Sequence, residues 1–180
     1  MEDAPGAVAG YTGVIVRNAA EADLPATLDI YNELIPTTTI AWTEELQTLE
    51  ERRVWFAEQR RRDFPVLVAV DGREVIGTAA FGDFRDSVHW PGYRFTAELS
   101  IHVRGDRRGS GVGRLLMETL IDRAGHKGIH VLIAAVDASN GGSIAFHERL
   151  GFVEVARMPE VGFKFGRRLD LVLLQRFIRP

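Results

Sequence analysis

The sequence predicts an α+β domain built on a mixed, mostly antiparallel sheet of about seven strands flanked by about four helices. Three observations carry this. Short apolar runs alternate with period two in some stretches and follow helical spacing in others. They come in the order β-α-α-β-β-β-α-β-α-β-β, whereas a doubly wound sheet would alternate strand and helix throughout. Val131 to Val136 is a continuous apolar run, as expected of a strand covered on both faces.

At 180 residues the chain suits one domain with a full core. Residues 1–12, rich in Gly and Ala and without periodicity, read as a flexible leader, leaving 13–180 as the single domain. Val14 to Val16 is a short first strand. Asp23 is placed to cap a helix with Pro25 in its first turn, and Leu24, Leu28, Tyr31 and Ile35 fall on one face. Pro36 to Thr39 breaks that helix. Thr48 and Glu51 have capping-box spacing, starting a second helix that runs to about Arg62. Pro65 to Val70 and Val75 to Phe81 flank Asp71-Gly72, a hairpin signal. After a loop from Gly82 to Gly92 come a strand over Phe95 to Val103 and a helix from Gly111 to about Lys127, ended by Gly128. The Val131 strand, a helix over Ser143 to Leu150, and strands over Phe152 to Met158 and Leu169 to Phe177 complete the chain.

Composition narrows the function. The net charge of −3 gives no electrostatic argument for nucleic acid or an acidic membrane. The apolar runs fall far short of the roughly 20 residues of a membrane helix, and no secretory signal is visible. The chain has no cysteine, which removes disulfides, thiolate metal sites and a cysteine acyl-enzyme, and fits a reducing cytoplasm.

The informative stretch runs from Ser100 to Leu116. A strand with Ile101 and Val103 on one face enters a loop with Arg107, Arg108, Gly109, Gly111 and Gly113, then a helix with Val112, Leu115 and Leu116 on its apolar stripe. A glycine-rich turn opening a helix suits an anion: the first-turn N–H groups lack intrahelical partners and carry partial positive charge, and glycine lets phosphate oxygens approach them. Arg107, Arg108 and Arg114 add charge. A tight helix entry with no ligand is the plain alternative. The dinucleotide fingerprint fails because its sixth position is Arg114, and a P-loop Gly-Lys-Ser/Thr is absent.

The pattern Arg108-x-x-Gly111-x-Gly113 resembles the acyl-CoA pyrophosphate loop of the GNAT N-acetyltransferases. Four further stretches carry the resemblance over roughly Val14 to Phe177: Ile30-Tyr31-Asn32 through Trp42, Phe81-Gly82-Asp83-Phe84-Arg85, Thr96 to Val103, and Met158 to Gly162 with Lys164-Phe165-Gly166-Arg167. Together they look like the phosphinothricin and methionine sulfoximine N-acetyltransferase branch.

The resemblance implies the GNAT fold and acetyl-CoA as co-substrate, with no metal. Acetyl would pass directly, in a ternary complex, to the α-amine of a small glutamate-like amino acid. Glu98 matches the family's general base. A carboxylate at the start of the strand that leads into the phosphate loop can accept the ammonium proton; pairing with an arginine is the alternative. The resemblance assigns Ile101, His102 and Val103 to the pantetheine arm and acyl oxygen through free main-chain N–H groups, and Arg108, Gly109, Ser110, Gly111, Val112 and Gly113 to the pyrophosphate. Asn140 matches a pantetheine contact, or is simply a loop cap. His147 stands where many relatives have tyrosine, and could protonate the leaving thiolate or be a surface histidine. Arg85, Asp86, Ser87, Glu98, Leu99 and Ser100 match substrate-binding positions, with Arg85 able to clamp a carboxylate. Relatives are commonly dimers, so a homodimer is the expectation by analogy. Three departures concern the acceptor alone: a longer loop from Arg85 to Glu98, Leu99 in place of histidine, and Arg168 in place of tryptophan. Other acceptors (a polyamine, an aminoglycoside, a protein N-terminus) or a non-catalytic CoA-binding module are the rival readings.

Overall fold

A computed structural model describes residues 13–178; the leader expected over 1–12 lies outside them. Seven strands, β1 (Val14–Asn18), β2 (Val66–Asp71), β3 (Glu74–Asp83), β4 (Thr96–Val103), β5 (Val131–Asp137), β6 (Val153–Lys164) and β7 (Arg167–Phe177), form one sheet in the order β1-β2-β3-β4-β5-β7-β6. Every neighbouring pair is antiparallel except β4 and β5. Four helices cover the sheet: α1 (Leu24–Leu34), α2 (Leu49–Arg61), α3 (Val112–His126) and α4 (Gly141–Arg149).

Alternation along the strands divides the core between the two faces. Leu67, Ala79, Ala97, Leu99, Leu132 and Ala134 pack with Leu116, Met117 and Leu120 of α3. Val66 and Ala80, one residue out of phase, pack with Leu24 of α1 and Phe56 of α2. The fourth strand thus sends Ala97, Leu99, Ile101 and Val103 toward α3, and Glu98, Ser100 and His102 toward α1 and α2.

The capping box of α2 forms as read: Thr48 Oγ1 accepts from Glu51 N at 3.2 Å, and Glu51 accepts from Thr48 N at 2.7 Å. Asp23 differs. It stands just before α1, but its carboxylate accepts from Arg17 and from Ala20 N rather than from the helix. It ties the end of β1 to the helix entry. The sixth strand also differs, running on past Met158 to Lys164. Pro159 and Gly162 break a central strand, but β6 is an edge, where proline is tolerated, and the register slips between Met158 and Gly162.

The long connection between α1 and α2 is fastened from two sides. Asn32 exchanges hydrogen bonds with the main chain of Gln47 at 2.8 and 3.0 Å. Lys164, 1% exposed, donates to the carbonyls of Ile35, Thr38 and Ala41, each at 2.7 Å. The Trp42 ring lies so close over Gly162 that a methyl group there would overlap it. Removing the ammonium strands three inward carbonyls. Lys164→Met should therefore lower unfolding free energy by about 2–4 kcal/mol in chemical denaturation. A loss under about 1 kcal/mol would show that the loop is held by other contacts.

Candidate active site

β4 and β5 pair only over Thr96–Glu98 and Val131–Ile133. Beyond Glu98 they part, and a cleft of about 960 Å³ lies between the end of β4 and the segment that follows β5. Ile101, His102 and Val103 line it, as do the phosphate loop, the start of α4 and residues 37–40. The strand end expected to have free main-chain N–H groups is thus the one that parts from its neighbour. On the cleft side its main-chain groups have no strand partner.

The glycine loop follows directly. Gly109 has φ +74° and Gly111, the N-cap of α3, has φ +88°, a region that side chains with a Cβ rarely adopt. The first intrahelical bond is Leu115 N to Gly111 O at 3.1 Å. The N–H groups of Val112, Gly113 and Arg114 thus have no partner within the helix. Gly113 could hold a methyl with only ordinary contacts to Phe146 and Val103, so packing within the protein does not demand glycine there. Two of the expected charges are committed: Arg107 pairs with Asp71 at 3.0 Å and Arg114 with Glu118 at 2.7 Å. Arg108 leans on the Val103 carbonyl at 3.4 Å and has no carboxylate partner among the described residues. Helix N–H groups, glycines without Cβ and one uncommitted guanidinium fit a diphosphate.

Of the expected loop residues, Arg108, Gly109, Gly111 and Gly113 line the cleft. Ser110 is exposed and donates to Arg107 O at 2.5 Å; the Val112 side chain is in the core, leaving only its N–H to contribute. Asn140 has the loop-cap role and stands at the cleft. It caps α4, its Oδ1 accepting from Ser143 N at 3.0 Å.

Glu98 is the last β4 residue paired to β5. It is half-buried, and burial pushes its carboxyl above the ordinary glutamate range. No hydrogen bond or ion pair is made to it among the described residues, so the arginine partner weighed above is not there. Ser100 is exposed on the same face. His102 meets Tyr31 edge-on at 5.3 Å, and burial, then the charge of Arg52, lowers its imidazole to about 4. Leu99 is buried against α3, which leaves only its main chain to face a substrate.

Glu98, Leu99 and Ser100 are not among the residues that line the cleft, and two further expectations meet a different geometry. His147 is 3% exposed, wedged between Phe146 and Phe152, with Nδ1 2.8 Å from Ser143 O and Nε2 buried without a partner. Burial lowers its pKa, partly offset by the Ser143 carbonyl. The neutral ring donating from Nδ1 leaves Nε2 with no proton to give, so its place is in the core under α4 rather than on the cleft wall. Arg85, Asp86 and Ser87 likewise lie off the cleft wall. Arg85 is exposed, 5.7 Å over the rings of Phe84 and Tyr93. Asp86 accepts from Val88 N and His89; Ser87 bonds Asp83 and Arg62.

Sequence reasoning passed over Thr37 to Ile40, Ser139, Phe165 and Arg167, which complete the walls. The hydroxyl run Thr37-Thr38-Thr39 was the available signal, read only as a helix break. Arg52 was also missed, because a charge in an arginine-rich helix looks solvated.

The acetyltransferase (GNAT) family matches residues 27–152. An L-methionine sulfoximine/L-methionine sulfone acetyltransferase of Pseudomonas aeruginosa is 45% identical over 166 residues, covering 92% of this chain and 95% of that protein. The crystal structure of a ribosomal-protein-alanine N-acetyltransferase from Brucella melitensis superposes with a TM-score of 0.87 at 44% identity, over 91% of this chain and 99% of that one. A phosphinothricin acetyltransferase from Sinorhizobium meliloti in complex with acetyl-CoA gives 0.87 at 32% identity, over 93% and 89%. With this match over most of its length, and a strand parting and glycine cradle of the expected form, the chain belongs to the GNAT acetyltransferase family.

Proposed function

We propose that the chain transfers acetyl from acetyl-CoA to the α-amine of a small glutamate-like amino acid such as methionine sulfone, methionine sulfoximine or phosphinothricin. One observation carries the reading. A half-buried carboxylate without a counter-ion stands where β4 and β5 part, one strand's length from a main-chain anion cradle. The names of the relatives supply the acceptor class.

In this reading Arg108, Gly109, Gly111 and the N–H groups of Val112 and Gly113 hold the pyrophosphate of acetyl-CoA. The free main-chain groups of Ile101 to Val103 take the pantetheine arm and the thioester oxygen, whose charge grows as the amine adds. Asn140 presents its amide to the same arm. Glu98 receives the ammonium proton. The nitrogen then bonds to the acetyl carbon and releases its second proton to water as the amide forms, the carbon–sulfur bond breaks, and the thiolate takes a proton from water in the open cleft. The raised pKa of Glu98 matches its proton affinity better to an amine's than an ordinary carboxylate would. Arg85 to Ser87 stand off the cleft wall and are given no contact with the acceptor in this scheme. A homodimer is part of the proposal. Edge strand β6 exposes Val153, Val155, Val161 and Phe163, an apolar row that a second copy would cover.

The Brucella neighbour favours a second acceptor, a protein N-terminal amine. A panel of methionine sulfone, phosphinothricin, spermidine and an alanine-initiated peptide, read by thiol release from acetyl-CoA, separates the readings. The free amino acids should give the highest kcat/KM; turnover of the peptide alone would transfer the assignment to protein acetylation.

Glu98→Gln should lower kcat by roughly 10²–10⁴ with little change in the KM for acetyl-CoA. The pH profile gives an independent check. Activity should rise as Glu98 loses its proton above the ordinary carboxylate range, and that limb should vanish in the variant. Stability carries the opposite sign. A carboxyl with a raised folded-state pKa adds stability below its unfolded pKa, lost as pH rises through the folded one. Glu98→Gln should therefore raise the melting temperature at neutral pH and leave it unchanged at pH 3. Gly111→Val should raise the Kd for CoA at least tenfold, because the new side chain crowds the cradle and strains a φ of +88°. Unaltered CoA binding in a folded variant would place the diphosphate elsewhere.

A further inference from the structure

Arg52, on the inner face of α2, is 7% exposed, and its Nε and Nη2 are buried with no hydrogen-bond partner. Its guanidinium lies 4.9 Å from the Tyr31 ring centre and 5.0 Å from that of Trp55. No carboxylate pairs with it among the described residues. Two aromatic faces stabilise the cation but do not neutralise it. Burial lowers its pKa and Tyr31 opposes that, yet a guanidinium keeps its proton at any working pH. An uncompensated charge inside a protein is costly, and its field is weakly screened.

That field points toward the acceptor side of the sheet. Tyr31, under the guanidinium, touches His102 edge-on at 5.3 Å, and His102 lines the cleft. The imidazole registers the Arg52 charge, which opposes its protonation. Two other cations near the cleft have compensation. Lys164 is satisfied by three carbonyls with Glu44 nearby, and Arg167 faces the charge of Asp137. Glu98, Glu44 and Asp137 are not paired to Arg52, and Asp83 is taken by Arg62.

We propose that Arg52 is a specificity-determining charge of the acceptor site, favouring amines that carry a carboxylate beside the reacting nitrogen and disfavouring polycationic amines. It acts through its field, so contact with the acceptor is not required. The proposal rests on the reading of this cleft as an amine-acetylating site.

The test compares full-length wild type, Arg52→Met and Arg52→Lys on methionine sulfone, its carboxamide and spermidine, with His102 followed by NMR titration. Methionine removes the charge while keeping much of the buried length. Arg52→Met should cut kcat/KM for the sulfone roughly 10- to 100-fold. The carboxamide should change far less, the KM for acetyl-CoA should hold, and the His102 pKa should rise. Arg52→Lys should keep most of the acid-over-amide preference. Equal losses on acid and amide, with lysine no better than methionine, would make Arg52 a packing residue and overturn the proposal, as would an unchanged preference. Should wild type acetylate no free amino acid, the proposed acceptor class fails on its own. The NMR arm then decides for Arg52: an unmoved His102 refutes the field, and an upward shift supports it.

Discussion

The parting of β4 from β5 after Glu98 is the constraint on which the site depends. It cannot zip shut, because each strand is held by its outer neighbour. β3 pairs with β4 over Gly77 to Asp83, and β7 pairs with β5 from Val131 to Asp137. Two rigid strands fixed from outside and joined at one end form a wedge. Its inner edges carry main-chain groups that no strand completes, which in a protein interior calls for a ligand or water. The wedge also sets distances. From Glu98 at the vertex to Val103 is about 17 Å of extended chain, after which the strand turns into the glycine cradle. The carboxylate and the anion site are therefore placed by one continuous element, and the reach of the bound molecule is fixed by strand length.

Around this wedge the molecule devotes its unusual contacts to holding one wall of the cleft. Lys164, Asn32 and the Trp42–Gly162 contact pin the α1–α2 connection, whose residues 37–40 face the cleft. These fasteners come from α1 and from β6, which lies far along the chain. The side proposed to hold the co-substrate differs: cradle, strand and cap at Asn140 are local features, each built from its own few residues. This contrast explains how a family can keep one co-substrate while its acceptors vary.

The same contrast governs what the sequence could reveal. Element order, the α2 capping box and the glycine cradle were legible because each depends on nearby residues. The end of β6 was not: Pro159 and Gly162 read as breakers only if the strand is internal, and its edge position is a property of the whole sheet. Asp23 looked like a cap because its spacing was right; the competing partner, Arg17, could be recognised only once β1 was placed. His147 has the composition of an acid at the right place in a helix, but its direction depends on Phe146 and Phe152 closing around it. Arg52 stood in a run of charges that gave no hint of the rings of Tyr31 and Trp55 around it.

The central claim is that the open edge of β4 and the N-terminus of α3 bind CoA through main-chain N–H groups. Titrating CoA into ¹⁵N-labelled protein and following amide shifts tests it most directly. The account predicts the largest changes at Ile101 to Val103 and Gly109 to Arg114, with β1, β2 and the outer half of β6 still. Saturable binding that leaves those amides unmoved would contradict it.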